Sequence, residues 1–475
     1  WALAGSPYVT TAKVVVPAGV RLTIEPGVVV RMAPSHEIQV HGALQAVGTE
    51  QAPIVVQSTS ESMNWGTIAL LADSGPNEIA HAQITGGGSL RRALVTIATD
   101  DAVVRHSMLR GSQGIGMEIR DGKSPTVQRC KFDLVTDGSA NPPAALRILG
   151  PSDAVIVDNY FQSNFQAVNW QADASPRFTG NRFDYNGMDG VVVTGTANRA
   201  VRWPNLGPRD WSYFLMGTGV TVAPSGTLTI DPGATPRMFT GAALRVEGGL
   251  KARGTAVSKI LFTTQSAEPK PGQWQEIAFT DTSQDYDPVT GEGSVLEHAL
   301  IEYGGSSTGR ALYIRDSSPR IANTVIRHSG ARAIAVAGAG AAPELIGMLV
   351  EQNRNDPDGI GLLAQLGAAP RVSFTVFREN FVGLRAESGM VGRIGPHNSF
   401  DRNLSFGAEN HDPLVCVDAT GNDWSASNGP QDLSGEPDVC GQIEHLGDGD
   451  MVTDAIDYLP FEGTLPLPVI EQPRC

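Results

Sequence analysis

The residues best placed to do chemistry are the oxygen donors of one loop, Asp281-Thr-Ser-Gln-Asp-Tyr-Asp-Pro-Val-Thr-Gly-Glu292. Asp281, Ser283, Asp285, Asp287 and Glu292 stand at positions 1, 3, 5, 7 and 12 of it, and oxygen ligands at that spacing suit Ca²⁺. Tyr286 stands where such a loop needs a sharp-turn glycine, and no helical pattern flanks it, so a solvated insertion is the alternative. Asn353-Arg-Asn-Asp-Pro-Asp358 and Asp448-Gly-Asp450 are shorter versions. A second set is cationic: Arg105-His106, Arg110, Arg327-His328 and Arg378. A polysaccharide lyase takes an Arg or Lys as base, and these residues could line a sugar groove as a basic ladder; solvated faces are the competing reading. A glycoside hydrolase needs two or three placed carboxylates, and the adjacent pair Asp100-Asp101 falls where a turn belongs. No residue is assigned a catalytic role, and the chain leans away from an enzyme.

The elements that must position these residues follow from a recurring phrase, a large apolar anchor, two variable residues, then asparagine. It reads Phe161-Gln-Ser-Asn164, Phe183-Asp-Tyr-Asn186, Val350-Glu-Gln-Asn353, Phe377-Arg-Glu-Asn380 and Phe400-Asp-Arg-Asn403. Leu109, Phe132 and Ile326 extend the anchor series, and successive anchors in each half lie 22 to 29 residues apart. Between anchors come a short alternating strand, a turn, Ser-Pro or Ala-Pro (Pro125, Pro176, Pro319, Pro343, Pro370) and further strand. That period, filled by two or three short strands, predicts one rung of a parallel β-solenoid. Asparagine tolerates the left-handed backbone region, so Asn164, Asn186, Asn353, Asn380 and Asn403 are expected to form tight corners and stack their amides into a ladder. They are architecture rather than a binding site.

A longer repeat overlies the short one. Leu22-Thr-Ile24, Pro26-Gly27 and Arg31-Met32 recur at an offset of 206 as Leu228-Thr-Ile230, Pro232-Gly233 and Arg237-Met238. Trp65 and Trp274, and His81 and His298, are the corresponding residues further on, which points to structure for all four. The chain is therefore expected to hold two tandem modules, 1–200 and 211–412, joined by a Pro/Trp-rich junction at 201–210 and closed by a loop-rich capping segment at 413–475.

Both module openings, "VVVPAGVRLTIEPGVVV" and "VTVAPSGTLTIDPG", with the following "VHGALQAVGT" and "VEGGLKARGT", resemble the start of pectate-lyase-like right-handed parallel β-helix repeat proteins. Asp418–Pro430 and Gly449–Phe461 resemble the closing segment of that family. The resemblance implies an all-β, right-handed parallel β-helix. It says less about activity, because the family includes lyases, hydrolases, epimerases, adhesins and inert rods. Of the family's hydrolase signatures only Asp100-Asp101 is present, and the epimerase D-P-H-E phrase is absent.

With Asp+Glu 50 against Lys+Arg 35, the net charge of −15 argues against nucleic acid or anionic lipid as partner. No apolar run is long enough for a transmembrane helix. The start at Trp1 reads as a mature or trimmed form of a longer precursor. Cys416 and Cys440 flank the terminal loop and are expected to pair in an oxidising compartment, with two unrelated thiols as the alternative; Cys130 reads as buried filler. The leading function is a non-catalytic extracellular or cell-surface scaffold or adhesion module with polysaccharide or other surface proteins as partners. A lyase or hydrolase of acidic glycans, with loops 266–293 and 198–212 as groove walls, is the rival, and a glycan-binding module without turnover the third reading. No cofactor is assigned with certainty from the sequence; Ca²⁺ is the one candidate.

Overall fold

The structure, a computed structural model, describes residues 1–89, 92–133, 143–208, 210–307, 309–355, 357–433 and 437–463. Arg209, Asp356 and Cys475 of the sequence readings lie outside the described residues. The fold is all-β with almost no helix, a parallel β-solenoid of about 16 turns. It divides into two compact units, Trp1–Val193 with Leu206–Phe214, and Thr194–Asn205 with the chain from Leu215 on.

Three short strands make each turn. In the first unit one turn runs through a leading strand Ile115–Ile119, a middle strand Thr126–Gln128 and an anchor strand Lys131–Asp133. The next runs through Ala144–Ile148, Val155–Val157 and Tyr160–Gln162. Like strands pair in parallel, with Phe132 opposite Phe161 and Phe161 opposite Phe183. The second unit repeats the scheme, with Ile301, Ile326, Val350, Phe377 and Phe400 in consecutive register. The prolines fall immediately before middle strands, where their fixed φ starts an extended segment and an absent N–H costs least.

The anchor is the middle residue of a three-residue strand, so it points inward while its neighbours point out. Phe132, Phe161 and Phe183 are buried and stack with ring centroids 4.9 and 5.5 Å apart, close to the strand spacing of about 4.8 Å. In the second unit Phe377 stacks on Phe400 at 5.3 Å and Phe400 on Trp424 at 4.5 Å, so the terminal segment continues the stack with a buried indole. Cys416 and Cys440 of that segment are disulfide-bonded, with Cα atoms 5.2 Å apart. Segments at the 206-residue offset take the same pairing: Leu22 lies opposite Leu44, and Leu228 opposite Leu250. Trp65 and Trp274 are both buried, and each indole N–H donates to a backbone carbonyl, of Thr85 at 2.8 Å and Glu302 at 2.7 Å. Within the stretch 201–210, residues Arg202 and Trp203 belong to a strand, Ala200–Trp203, paired with Thr227–Ile230.

The corners correct one detail of the sequence reading. The left-handed residue is the one before each asparagine, namely Ser163, Tyr185, Gln352, Glu379 and Arg402 with φ of 57°, 57°, 58°, 53° and 53°. The asparagines keep ordinary φ and repair what the corner breaks. A left-handed turn rotates the adjacent peptide groups out of the sheet ladder, and buried N–H and C=O groups require partners. Asn164, Asn186, Asn380 and Asn403 donate from Nδ2 to the anchor carbonyl one turn earlier, of Phe132, Phe161, Val350 and Phe377, at 2.9–3.2 Å. The Oδ1 atoms of Asn186, Asn380 and Asn403 accept from the preceding asparagine: Asn186 receives the N–H and Nδ2 of Asn164 at 3.0 and 2.8 Å. Asn353, Asn380 and Asn403 form the same ladder in the second unit.

A second ladder lines the other corner, between middle and anchor strands. Asn159 donates to Val127 and Asn181 to Ile156, and Asn181 Oδ1 accepts the Asn159 N–H at 2.9 Å. Asn398 and Asn422 do the same in the second unit. The full phrase is therefore Asn-x-anchor-x-x-Asn, as in Asn159-Tyr-Phe161-Gln-Ser-Asn164. Cys130 fills this ladder position one turn earlier, buried, with its thiol pushed up to about 12 by burial, which removes it as a nucleophile at neutral pH.

Each Asn row that stands three residues after an anchor ends on a carboxylate: Asp189 accepts from Asn186 at 2.7 Å and Asp450 from Asn403 at 2.7 Å. Burial, with the Asp401 charge adding to it, holds the Asp450 carboxyl above the ordinary range, against the two bonds from Asn403. Its folded value lies above its unfolded one, so its contribution favours the fold at low pH and is lost as pH rises through the raised value. Asp450→Asn keeps the acceptor and removes the buried charge; it is expected to raise Tm at neutral pH and leave Tm near pH ~3 unchanged in thermal melts. Phe161→Ala is expected to cost about 3–5 kcal/mol by denaturant unfolding, and Asn380→Ala about 1–3 kcal/mol for the backbone groups it orphans.

Candidate functional site

The outward residues beside the anchors decide what the surface offers. The residue after each anchor in the second unit reads Glu302, Arg327, Glu351, Arg378, Asp401, strictly alternating in sign, and these residues are paired in register. Arg327 bridges to Glu302 at 2.6 Å and reaches Glu351 at 3.9 Å, while Arg378 hydrogen-bonds Glu351, whose side chain is 1% exposed. In the first unit Arg105 pairs with Glu78 at 2.8 Å and Arg110 lies 3.8 Å from Asp133. Of the arginines that sequence reading placed in a basic ladder, Arg105, Arg327 and Arg378 are thus neutralised at close range by acids from the neighbouring turns, and Arg110 keeps only a longer pair. The signal was present one residue after each anchor, where the acids share the register of the arginines.

The Asp281–Glu292 loop uses its oxygens elsewhere. Asp285 accepts the Ser318 N–H at 2.6 Å, and Ser283 bonds Ser317 at 2.5 Å. Asp287 caps its own turn through Val289 N–H and the Thr290 hydroxyl, both at 2.8 Å, which holds its carboxyl below the ordinary range. Glu292 pairs with Lys251 at 2.6 Å and Asp281 is exposed. Among the described residues no three His, Cys, Asp or Glu side chains gather as for a metal ion. Asp358 pairs with Arg332 at 3.1 Å, Asp448 accepts from Asn428 at 3.1 Å and Asp450 ends an Asn row. Asp100 accepts the Ser124 N–H at 2.8 Å and the Lys123 ammonium at 3.1 Å, tying one turn to the next.

One place remains where basic side chains of consecutive turns converge and, among the described residues, no short hydrogen bond to a protein partner holds them. Three residues before each anchor the chain is left-handed, and that side chain points out of the corner between middle and anchor strands. In the first unit this row reads His81, His106, Arg129, Asp158, Gly180, with φ of 47°, 48°, 51°, 56° and 67°. His81 and His106 stack in parallel, centroids 4.9 Å apart and planes 4° from parallel. They border an open cleft of about 480 Å³ whose lining includes Glu50, Gln83, Arg129 and Lys131. Among the described residues no hydrogen bond or ion pair reaches either imidazole, whereas His41, His397 and His411 are held by Asp73, Glu462 and Glu409 at 2.9, 2.9 and 2.7 Å. Arg129 lies 3.8 Å from Asp158, and Lys131 3.7 Å from Asp133, both beyond hydrogen-bond length. Partial burial first, then the charges of His81, Arg129 and Arg105, hold His106 below its usual value, with Glu50 pulling the other way.

The corresponding row of the second unit reads His298, Asn323, Gly347, Phe374, His397. His81 and His298 share a backbone role; their surroundings differ, and only the first is followed by a second imidazole and a guanidinium. Sequence reading treated His81 as architecture on the strength of that equivalence, and it passed over Glu50 and Lys131, which come from separate turns.

No family model matches the chain. A stretch of 60 residues, 13% of the chain, is 45% identical to Protein bark beetle of Drosophila melanogaster, of which it covers 2%. No helix among the described residues is long and apolar enough to cross a membrane.

The Glu302–Arg378 ladder gives a direct test. Arg378→Ala leaves the buried Glu351 carboxylate one close partner short and is expected to lower unfolding free energy by about 2–3 kcal/mol. The Glu351→Ala/Arg378→Ala double variant is expected to cost less than the sum of the singles in a double-mutant cycle.

Proposed function

We propose that this chain is a non-catalytic extracytoplasmic β-helix protein, a scaffold or adhesion module that presents flat faces and corner side chains to glycans or surface proteins. The observation that supports this best is the fate of the reactive residue types. Arg105, Arg327 and Arg378 are locked to Glu78, Glu302 and Glu351 across turns, and the acids of the 281–292 loop serve neighbouring backbone and side chains. A lyase or hydrolase needs a base or acid pair free to meet substrate. The Cys416–Cys440 disulfide supports an oxidising location. The duplicated openings and their resemblance to pectate-lyase-like repeats support right-handed winding and two tandem modules. Within each unit, parallel pairing of like strands from turn to turn suits the solenoid to holding contacts at fixed spacing.

The test is incubation with pectins, alginates and neutral glycans, with and without Ca²⁺, following new reducing ends and unsaturated uronate absorbance. No cleavage of any substrate is expected. Turnover that disappears on substituting Arg or Asp residues of one face would overturn the reading in favour of a polysaccharide lyase or hydrolase; binding without cleavage would favour the glycan-binding module without turnover.

A further inference from the structure

The cleft beside His81 and His106 carries a separate conclusion. We propose that it binds a sulfate or phosphate ester, a tetrahedral oxyanion carried on a larger ligand, held by His81, His106, Arg129 and Lys131. The site stands whether or not the protein as a whole is a scaffold, because it rests on the cleft alone.

Four observations support it. First, the row places three large basic side chains on consecutive turns at a position where left-handed backbone favours Gly or Asn. The second unit uses Asn323 and Gly347 there, so the corner itself does not demand a basic residue. Second, the imidazole nitrogens of both histidines have no protein partner among the described residues, in a protein whose other exposed cations are mostly paired. Third, Arg129 and Lys131 have only long ion pairs, to Asp158 at 3.8 Å and to Asp133 at 3.7 Å, with Lys131 also 5.6 Å from the Tyr160 ring, so among the described residues neither side chain is held by a short hydrogen bond that an anion would have to displace. Fourth, the cleft of about 480 Å³ is far larger than a free ion, which leaves room for the body of an ester.

The ligand class follows from the donors. Histidine in its charged form, Arg and Lys only donate, so the site is built for oxygens that only accept. They approach from three levels of the solenoid, with the imidazoles 4.9 Å apart, rather than from one planar fork. Three terminal oxygens of a sulfate or phosphate group meet donors on three levels; a planar carboxylate does not.

Protonation is part of binding. The groups facing His106 are His81, Arg105, Arg129, Lys131 and Glu50, and Arg105 is already occupied by Glu78. Two parallel imidazoles beside two further cations resist taking a second proton. A bound anion reverses that balance, so binding takes up protons and strengthens as pH falls.

The experiment is calorimetric titration of the full chain at about pH 5.5 and about pH 7.5, either side of the ordinary imidazole value. The probes are a sulfated disaccharide, a sugar phosphate, inorganic sulfate and, as carboxylate control, glucuronate. Binding of at least one ester is expected at the lower pH and about tenfold weaker at the higher, with the two ester arms showing which oxyanion is preferred. His81→Asn/His106→Asn is expected to abolish it while keeping or raising Tm, since Asn suits the left-handed corner. Arg129→Gly is expected to weaken it without loss of fold. Ester titration is also expected to raise the His106 pKa followed by imidazole proton NMR. The proposal is overturned if no ester binds at the lower pH, if the double variant binds as well as the parent, or if glucuronate binds as tightly as the esters.

Discussion

Everything in this protein depends on satisfying the backbone at its corners. Each turn bends sharply between middle and anchor strands and again after the anchor, and the residue at the bend is left-handed. A bend of that kind strips neighbouring peptide groups of sheet partners in a dry interior. The asparagine amide supplies both halves of the repair, a donor for the anchor carbonyl of one turn and an acceptor for the N–H of another. Because each amide also bonds the amide in the next turn, the repair is cooperative along the solenoid. The Phe stacks sit directly inside these corners, so stacking distance and ladder distance are set by the same strand spacing.

The same spacing governs the charges. Side chains one turn apart lie near enough to pair, so an alternation of Glu and Arg at one position becomes a continuous ion ladder. A solenoid of this kind tends to neutralise its own surface. A ligand site is favoured where that pairing breaks, and the stacked His81 and His106, which no carboxylate pairs with among the described residues, are such a break, with Arg129 beside them in only a long pair. There, like groups rather than opposite ones stand on consecutive turns. The cost shows in the His106 pKa, which partial burial and the neighbouring charges lower, and in left-handed backbone at bulky residues.

Much of this was legible in the residues. The period of the anchors announced the solenoid, and the asparagines announced ladders, because only stacked copies bring one amide onto another. The disulfide was legible as two cysteines flanking one loop. The second Asn row was missed, although Asn159, Asn181 and Asn398 each stand two residues before an anchor. The left-handed position was assigned to the asparagine when it belongs to the residue before it. That error arose because propensity names the residue that tolerates a conformation and says nothing of where the geometry needs it. The 281–292 loop shows that order along the chain does not by itself converge side chains: Asp285, Asp287 and Glu292 each bond a different partner.

The sequence by itself determined the period, the inward anchors and the polar corners, since these repeat at fixed offsets and their physics is local to one turn. The tertiary structure alone decided which outward residues meet. Neighbours on the surface are 22 to 29 residues apart in the chain, and a shift of one position in strand pairing would move every partner to another face. Whether an arginine is neutralised or free depends on that register, and so does whether two histidines stack. The architecture was written in the period; the cleft was written in the register.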